Sequence, residues 1–320
     1  MRKIPIIVIC GPTASGKTAL SVALCHRLRG EVVSTDSMQI YRGMDIGTAK
    51  PTLQEREGIP HHMLDVADIW EEFDVAQYCD MARPIIEDID RRGKIPVLAG
   101  GTGLYINTLV DNIRFSPVES DPSYRAELER FALEYGNEAL HERLRQVDPE
   151  SALRVHPNNR SRVIRALEVY RQSGMTISEM NRRSRQEPSP YDPCMIGLCY
   201  EDRQLLYRRI DQRVEEMIRQ GLEQEVAGLW QRGWDSRWSS VQAIGYKEWK
   251  AYFEGKATCQ QVMEEIQRES RRYAKRQMTW FRRDKRIQWI CLDEQTTKES
   301  LLQQALAVVS AHQNRENELS

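Results

Sequence analysis

Residues 11–18 read Gly-Pro-Thr-Ala-Ser-Gly-Lys-Thr and fit the phosphate-loop pattern G-x-x-x-x-G-K-[ST]. The pattern restricts the fold, because such a loop works only with a strand in front of it and a helix behind. Both signals are present. Ile4–Cys10 is an apolar, β-branched run, and Ala19, Leu20, Val22, Ala23 and Leu24 follow with helical patterning. The glycines let the backbone curl until several N–H groups face one anion, and the helix N-terminus adds the positive end of its dipole. Gly11, Pro12, Thr13, Ala14, Ser15 and Gly16 are therefore the expected cradle for a di- or triphosphate. Lys17 supplies a point charge, and the Thr18 hydroxyl is a ligand for Mg²⁺. The octet does not say which phosphate compound is held, or what happens to it.

Further strand signals lie at Glu31–Ser34, Ile95–Ala99, Met195–Tyr200 and Ile287–Leu292, with helical patterns between most of them. This alternation predicts an α/β fold of the phosphate-loop NTPase type, a parallel sheet flanked by helices. The anion site falls at the carboxyl edge of that sheet. From about residue 116 the character turns helical, with patterns at Pro122–Tyr135, Glu138–Gln146 and Arg160–Ser173, and the stretch closes with a proline-rich return at Gln186–Pro193. The expected organisation is a mostly helical insertion, 116–193, inside a core made of 1–115 and 194–320. Long helices are expected at Gln204–Gln231, Lys247–Phe253 and Cys259–Arg283, and a frayed polar tail after Ala311.

Composition narrows the setting. With 320 residues, 40% of them hydrophobic and 29% charged, the chain is expected to be globular. It has no apolar run near the ~20 residues of a membrane span and no secretory pattern at its start. Seven cysteines without a C-x-x-C pair predict reduced thiols and a cytoplasmic protein. His61-His62 lacks accompanying ligands for zinc and is expected to be a polar turn. The net charge of −1 says nothing about partners, but its distribution does. Residues 268–286 carry nine Lys or Arg against Glu269 and Asp284, with Tyr273, Trp280 and Phe281 interleaved and few acids at i,i+4. That is a local footprint for a polyanion.

A phosphate-loop NTPase normally has a second strand ending in an Asp that holds Mg²⁺. Here Ile95–Ala99 runs into Gly100-Gly101-Thr102-Gly103, with no acid. An acid does follow the other early strand, at Asp36, where it either faces the phosphate site or caps the next turn. Thr102 would converge on the same cleft. The glycines around it either allow close approach of a ligand or form a plain turn.

Several segments, in order, then become recognisable. Asp36 to Pro51 (DSMQIYRGMDIGTAKP) and Gly58 to Asp65 (GIPHHMLD) are followed by Gly100 to Tyr105 (GGTGLY). His156 to Arg160 (HPNNR), Arg165 to Val169 (RALEV), Ala243 to Glu248 (AIGYKE) and Ala274 to Arg282 (AKRQMTWFR) come later. Together with the phosphate loop they resemble the bacterial tRNA dimethylallyltransferases, also called tRNA isopentenyltransferases, from about residue 4 to about residue 290. The chain lacks the C-terminal Cys/His zinc finger of eukaryotic relatives. The resemblance implies transfer of a dimethylallyl group from its diphosphate to N6 of the adenine at tRNA position 37, with Mg²⁺ as cofactor held through Thr18. It implies that residues 11–18 hold a diphosphate leaving group, that Asp36 accepts the N6 proton and that Thr102 orients the base. Arg209 or Arg213 reaches the diphosphate from the other side, and either could do so. By the same resemblance Asp36, Ser37, Met38 and Gln39 line the base entrance. Ser161, Arg162, Val163, Ile164 and Arg165, then Gln242, Ala243, Ile244, Gly245, Tyr246 and Lys247, and Arg271, Arg272, Lys275, Arg276 and Gln277 contact the anticodon stem-loop. Arg182, Arg183 and Arg185 are weaker candidates, and a monomer is the default. A small-molecule kinase, an isopentenyltransferase acting on a free nucleotide and a non-catalytic RNA-binding module are the competing readings. The first lacks its acid after Ala99, and the second has no use for a stem-loop clamp.

Overall fold

The computed structural model describes residues 2–114, 121–235 and 238–319. The expected boundary at 115/116 lies outside the described residues. Two units are present, Met1–Val110 with Pro190–Ser320, and Asp111–Ser189.

The first unit begins β1 (Ile4–Cys10), α1 (Lys17–Leu28), β2 (Gly30–Ser34), α2 (Leu53–Arg56), β3 (His61–His62), α3 (Val75–Arg91), β4 (Ile95–Gly100) and α4 (Gly103–Val110). The second unit is helical, with α5 (Pro122–Tyr135), α6 (Asn137–Val147), α7 (Pro149–Arg154), α8 (Arg160–Ser173) and α9 (Ile177–Arg183). The first unit then resumes with β5 (Tyr191–Tyr200), α10 (Arg203–Arg219), α11 (Leu222–Gln231), α12 (Trp249–Phe253), α13 (Cys259–Phe281), β6 (Gln288–Leu292) and α14 (Lys298–Leu319). Its six strands form one sheet in the order β3-β2-β4-β1-β5-β6, and every pairing is parallel. This is the phosphate-loop α/β fold that the strand–loop–helix pattern predicts.

A parallel sheet must be covered on both faces. One face packs Val8, Leu98 and Met195 against Tyr78 and Ile86 of α3 and Ile106 and Leu109 of α4. The other packs Ile7, Ile9 and Ile196 against Leu20 and Leu24 of α1 and Leu301, Leu302 and Ala305 of α14. A third apolar cluster joins Ile40, Tyr41 and Met44 to Trp234, Tyr246, Trp249 and Val262. Three strands start with or contain a proline, which cannot donate to a ladder. Pro5, Pro96 and Pro193 all precede the point where the second neighbour joins: β1 meets β4 from Ile7, and β5 meets β6 from Ile196.

Several expectations need correction. β5 begins at Tyr191, inside the proline-rich return, because that stretch pairs with β1 alone. The Gln204–Gln231 helix is two helices, broken where Gly221 adopts φ 98°. His61-His62 is an edge strand, and His62 Nε2 lies 2.8 Å from buried Glu31. The tail continues as helix to Leu319. The thiols are not all reduced: β5 and β6 bring Cys199 opposite Cys291, where a disulfide joins them. A separation of 92 residues hid that pairing in the sequence. No described helix is long and apolar enough to cross a membrane.

The helical unit is built around Leu128, Leu140, Leu144, Val163, Ile164 and Leu167. Its fully buried Glu168 is bonded by Arg125 (2.7 and 2.9 Å), Arg165 (2.6 Å) and the Asp121 N–H (2.7 Å). Burial alone pushes the carboxyl pKa up, but these donors outweigh it and hold the group at about 2. The unfolded carboxyl titrates near ~4.3, so the unfolded chain binds the proton first as pH falls. The contribution is whole above that value and is lost as pH falls towards the folded pKa. Glu168→Gln should cost about 2–3 kcal/mol at neutral pH. Urea unfolding at pH 7 and pH 3 should show that gap narrowing at the lower pH.

Candidate active site

β1 is the central strand that delivers the loop. Gly11 takes φ 145°, and a Cβ there would lie 2.7 Å from the Leu198 carbonyl oxygen, so the tight exit from the sheet needs glycine. Ala14 (φ 61°) and Gly16 (φ 82°) continue the curl until α1 begins at Lys17. Buried Ser15 donates its hydroxyl to the Pro12 carbonyl at 2.8 Å, and the Lys17 ammonium donates to the same oxygen at 2.7 Å. Burial lowers the Lys17 pKa to about 8, with Arg213 pushing the same way and Asp36 and Cys10 opposing.

Arg209 and Arg213 lie on α10 but do different things. Arg213 donates to the Thr13 hydroxyl at 3.2 Å, and its pKa is held below the usual arginine value by burial, against Asp36 and Glu55. Arg209 instead meets the phenol of Tyr200, at 3.3 Å from its oxygen and 5.5 Å from its ring centre. Arg213 is therefore the arginine at the loop. Two cations crowd one small volume beside an N–H-lined turn, an arrangement that an anion relieves.

Asp36 and Thr102 reach the same edge from β2 and β4. The Asp36 carboxylate accepts the Met38 N–H at 2.9 Å and the Gln39 N–H at 3.4 Å. Its capping role is thus real, but it is confined to Oδ1. Among the described residues no donor meets Oδ2. Thr102 accepts the Ser37 N–H at 3.0 Å and donates to the Ser37 hydroxyl at 3.2 Å, which ties the two strand ends together.

Helix α13 supplies the inner wall, which sequence reading missed. Gln277, taken there as a stem-loop contact, is buried. It accepts the Thr13 N–H and donates to the Gly101 carbonyl, both at 3.0 Å. Burial pushes the Tyr273 pKa up to about 12, with Asp36 adding to the rise and the nearby Thr102 and Gln277 side chains opposing it. The glycines around Thr102 make room for protein rather than ligand. A Cβ at Gly100 would meet Thr35 at 2.4 Å, at Gly101 Gln277 at 2.1 Å, and at Gly103 Trp280 at 2.2 Å.

The outer face of α13 is basic but partly paired. Arg271 bonds Asp211, Arg272 bonds Glu269 at 2.6 Å, and Arg268 bonds Glu265. These partners stand at i−3 or on α10, so an i,i+4 reading did not find them. Among the described residues Lys275, Arg276, Arg282, Arg283 and Lys285 have no carboxylate partner.

Other expected surface residues are interior. Tyr246, Ala243 and Gly245 are buried, which leaves Gln242, Ile244 and Lys247 of that segment to present side chains. The Tyr246 phenol bonds Glu225 at 2.6 Å, and Glu225 also accepts the N–H groups of Asp45, Ile46 and Gly47 at 3.0, 2.8 and 3.2 Å. Gln39 in turn donates to the Thr48 and Ala49 carbonyls at 3.2 and 3.1 Å. Glu225, which carries no motif signature, thus fixes the loop behind the Asp36–Gln39 turn. In the helical unit Val163 and Ile164 belong to the core, so only Ser161, Arg162 and Arg165 reach the surface. Arg182 and Arg183 pair with Glu150 and Glu179.

A sequence profile of the IPP transferase family matches residues 39–284. The tRNA dimethylallyltransferase of Caldanaerobacter subterraneus subsp. tengcongensis is 48% identical over 299 residues, 93% of this chain and 95% of that relative. The tRNA dimethylallyltransferase of Geobacillus thermodenitrificans is 51% identical over 284 residues, 89% of each chain. Among solved structures, the tRNA isopentenylpyrophosphate transferase of Bacillus halodurans superposes with TM-score 0.71 at 43% identity, covering 99% of this chain and 100% of that one. A eukaryotic dimethylallyltransferase acting on tRNA superposes with TM-score 0.73 at 33% identity, over 87% of this chain and 70% of that one. With a profile spanning most of its length and relatives this similar from end to end, this chain belongs to the IPP transferase family.

Proposed function

We propose that this chain is a tRNA dimethylallyltransferase, which moves a dimethylallyl group from dimethylallyl diphosphate to N6 of the adenine at tRNA position 37 and releases diphosphate. The observation that carries this reading is the division of one sheet edge. Lys17, Arg213 and the phosphate loop form a cationic end, and Asp36 with Thr102 forms an acceptor end. Asp36 stands close enough to influence both cations. A phosphate-loop kinase normally carries a metal-holding acid after its second strand, and β4 runs instead into Gly100-Gly101-Thr102.

In the proposed reaction N6 attacks the allylic carbon, the carbon–oxygen bond breaks, and the diphosphate leaves with the electron pair. Fixed N–H groups, Lys17 and Arg213 stabilise the charge that develops on it. The N6 proton passes to Oδ2 of Asp36, and Thr102 holds the adenine edge by hydrogen bonding. An adenine amine is a poor nucleophile, so removing its proton as the bond forms matters most. Thr18 follows Lys17 in the first turn of α1. A single hydroxyl beside a diphosphate suits Mg²⁺, which keeps several waters and takes few protein ligands. Bound there, Mg²⁺ would neutralise charge on the leaving group. The base reaches the cleft only if drawn out of its loop. The side chains proposed to grip the stem-loop are Ser161, Arg162 and Arg165, Gln242, Ile244 and Lys247, and Arg271, Arg272, Lys275 and Arg276.

Two outcomes follow from this reading. Asp36→Asn should bind tRNA almost normally and lose about 10²–10⁴-fold in turnover. Unaltered turnover in that variant would refute the role given to Asp36. The second outcome concerns Lys17. Its pKa of about 8 in the free protein should rise when an anion binds, so diphosphate binding takes up a proton at higher pH. Inorganic diphosphate affinity, measured by calorimetry from pH 7 to ~9.5, should fall relative to Lys17→Arg, whose guanidinium stays charged. Parallel pH profiles for the two proteins would contradict the assignment.

A further inference from the structure

The last residue of β5, Tyr200, has no part in the chemistry described so far, yet it touches the phosphate loop. Its phenol donates to the Ala14 carbonyl at 2.7 Å. Arg209 donates to the same phenol oxygen at 3.3 Å, which leaves the Tyr200 proton committed to Ala14. Ala14 is in the left-handed region, φ 61°, an uncommon conformation for a residue with a Cβ. The base of this contact is firm. Cys199, one residue earlier, is bridged to Cys291, and Glu201 N–H donates to the Leu292 carbonyl at 3.2 Å.

A trans peptide is planar, and its C=O and N–H point in opposite directions. Holding the Ala14 carbonyl therefore also sets the direction of the Ser15 N–H, one of the donors the loop offers to an anion. We propose that Tyr200 is a positioning residue for the diphosphate: by holding the Ala14 carbonyl it aims the Ser15 N–H at the anion before the anion arrives. Arg209 keeps the phenol in that orientation. This explains why two arginines of α10 sit near the loop although only Arg213 contacts it. The inference rests on the reading of the loop as a diphosphate site. Pre-aimed donors bind more tightly than donors that must be ordered on binding.

Tyr200→Phe removes one hydroxyl and keeps the ring. The expected result is an inorganic diphosphate Kd about tenfold weaker by calorimetry, as for one lost hydrogen bond. The KM for dimethylallyl diphosphate should rise by a similar factor, while the KM for tRNA stays within about twofold. Arg209→Lys, which keeps a charge but loses the fork, should weaken diphosphate binding in the same direction by a smaller factor. A purely structural hydroxyl would lower the melting temperature and leave both diphosphate values unchanged, and that result would overturn the proposal. If the unaltered protein itself fails to bind inorganic diphosphate, the diphosphate reading of the loop falls. Binding by the unaltered protein with an equal Kd in Tyr200→Phe sinks the Tyr200 role alone.

Discussion

The interaction on which the rest of the structure depends is that between the turn at residues 11–17 and the two cations pressed against it. Lys17 and Arg213 are mutually unfavourable, and the burial that lowers both pKa values makes them more so. In the free protein the Lys17 ammonium is satisfied by the Pro12 carbonyl and Arg213 by the Thr13 hydroxyl. Neither partner carries a full negative charge. Such an arrangement persists because the surrounding elements fix it: β1 and Leu198 behind Gly11, Gln277 on the Thr13 N–H, and Tyr200 on the Ala14 carbonyl. The loop is thus pre-formed, and an incoming anion gains from charges whose cost folding has already met.

The sheet order converts this local device into a two-ended site. In β3-β2-β4-β1-β5-β6, the strands β2, β4 and β1 are consecutive neighbours, so Asp36, Thr102 and the loop all emerge along one edge. Chain connectivity reverses direction beside β1, which is where α/β sheets leave a crevice for ligands. Helix α13 closes the crevice with one face and offers charge with the other. Tyr273, Gln277 and Trp280 turn inward onto the glycine segment, and Lys275 and Arg276 turn outward.

Much of this is legible in the sequence itself. A phosphate loop between a β-branched run and a helical pattern specifies its own surroundings, so the α/β class, the carboxyl-edge site and the candidates Lys17 and Asp36 follow from local signals. What was hidden depends on long-range pairing. Nothing in the spacing separates Arg209 from Arg213, because they are one helical turn apart and only their distant partners, Tyr200 and Thr13, distinguish them. Gln277 was matched to RNA and the glycines around Thr102 were left between a ligand contact and a plain turn, because their partners are distant in sequence: Gly101 meets Gln277 and Gly103 meets Trp280. Tyr246 sits within a recognisable motif, and Val163 and Ile164 lie between two, but a motif records that a segment matters, not which side chains face out. Glu225 and the Cys199–Cys291 bridge have no local signature at all.

The central claim is that one cleft brings an allylic diphosphate to an adenine amine of tRNA. The most direct measurement is transfer of label from dimethylallyl diphosphate to unmodified tRNA in the presence of Mg²⁺ and without ATP, with AMP as a competing acceptor. The account predicts label in tRNA and none on AMP. Label on AMP would move the chain to the free-nucleotide enzymes, and no transfer to either acceptor would contradict the division of the cleft proposed for Lys17, Arg213 and Asp36.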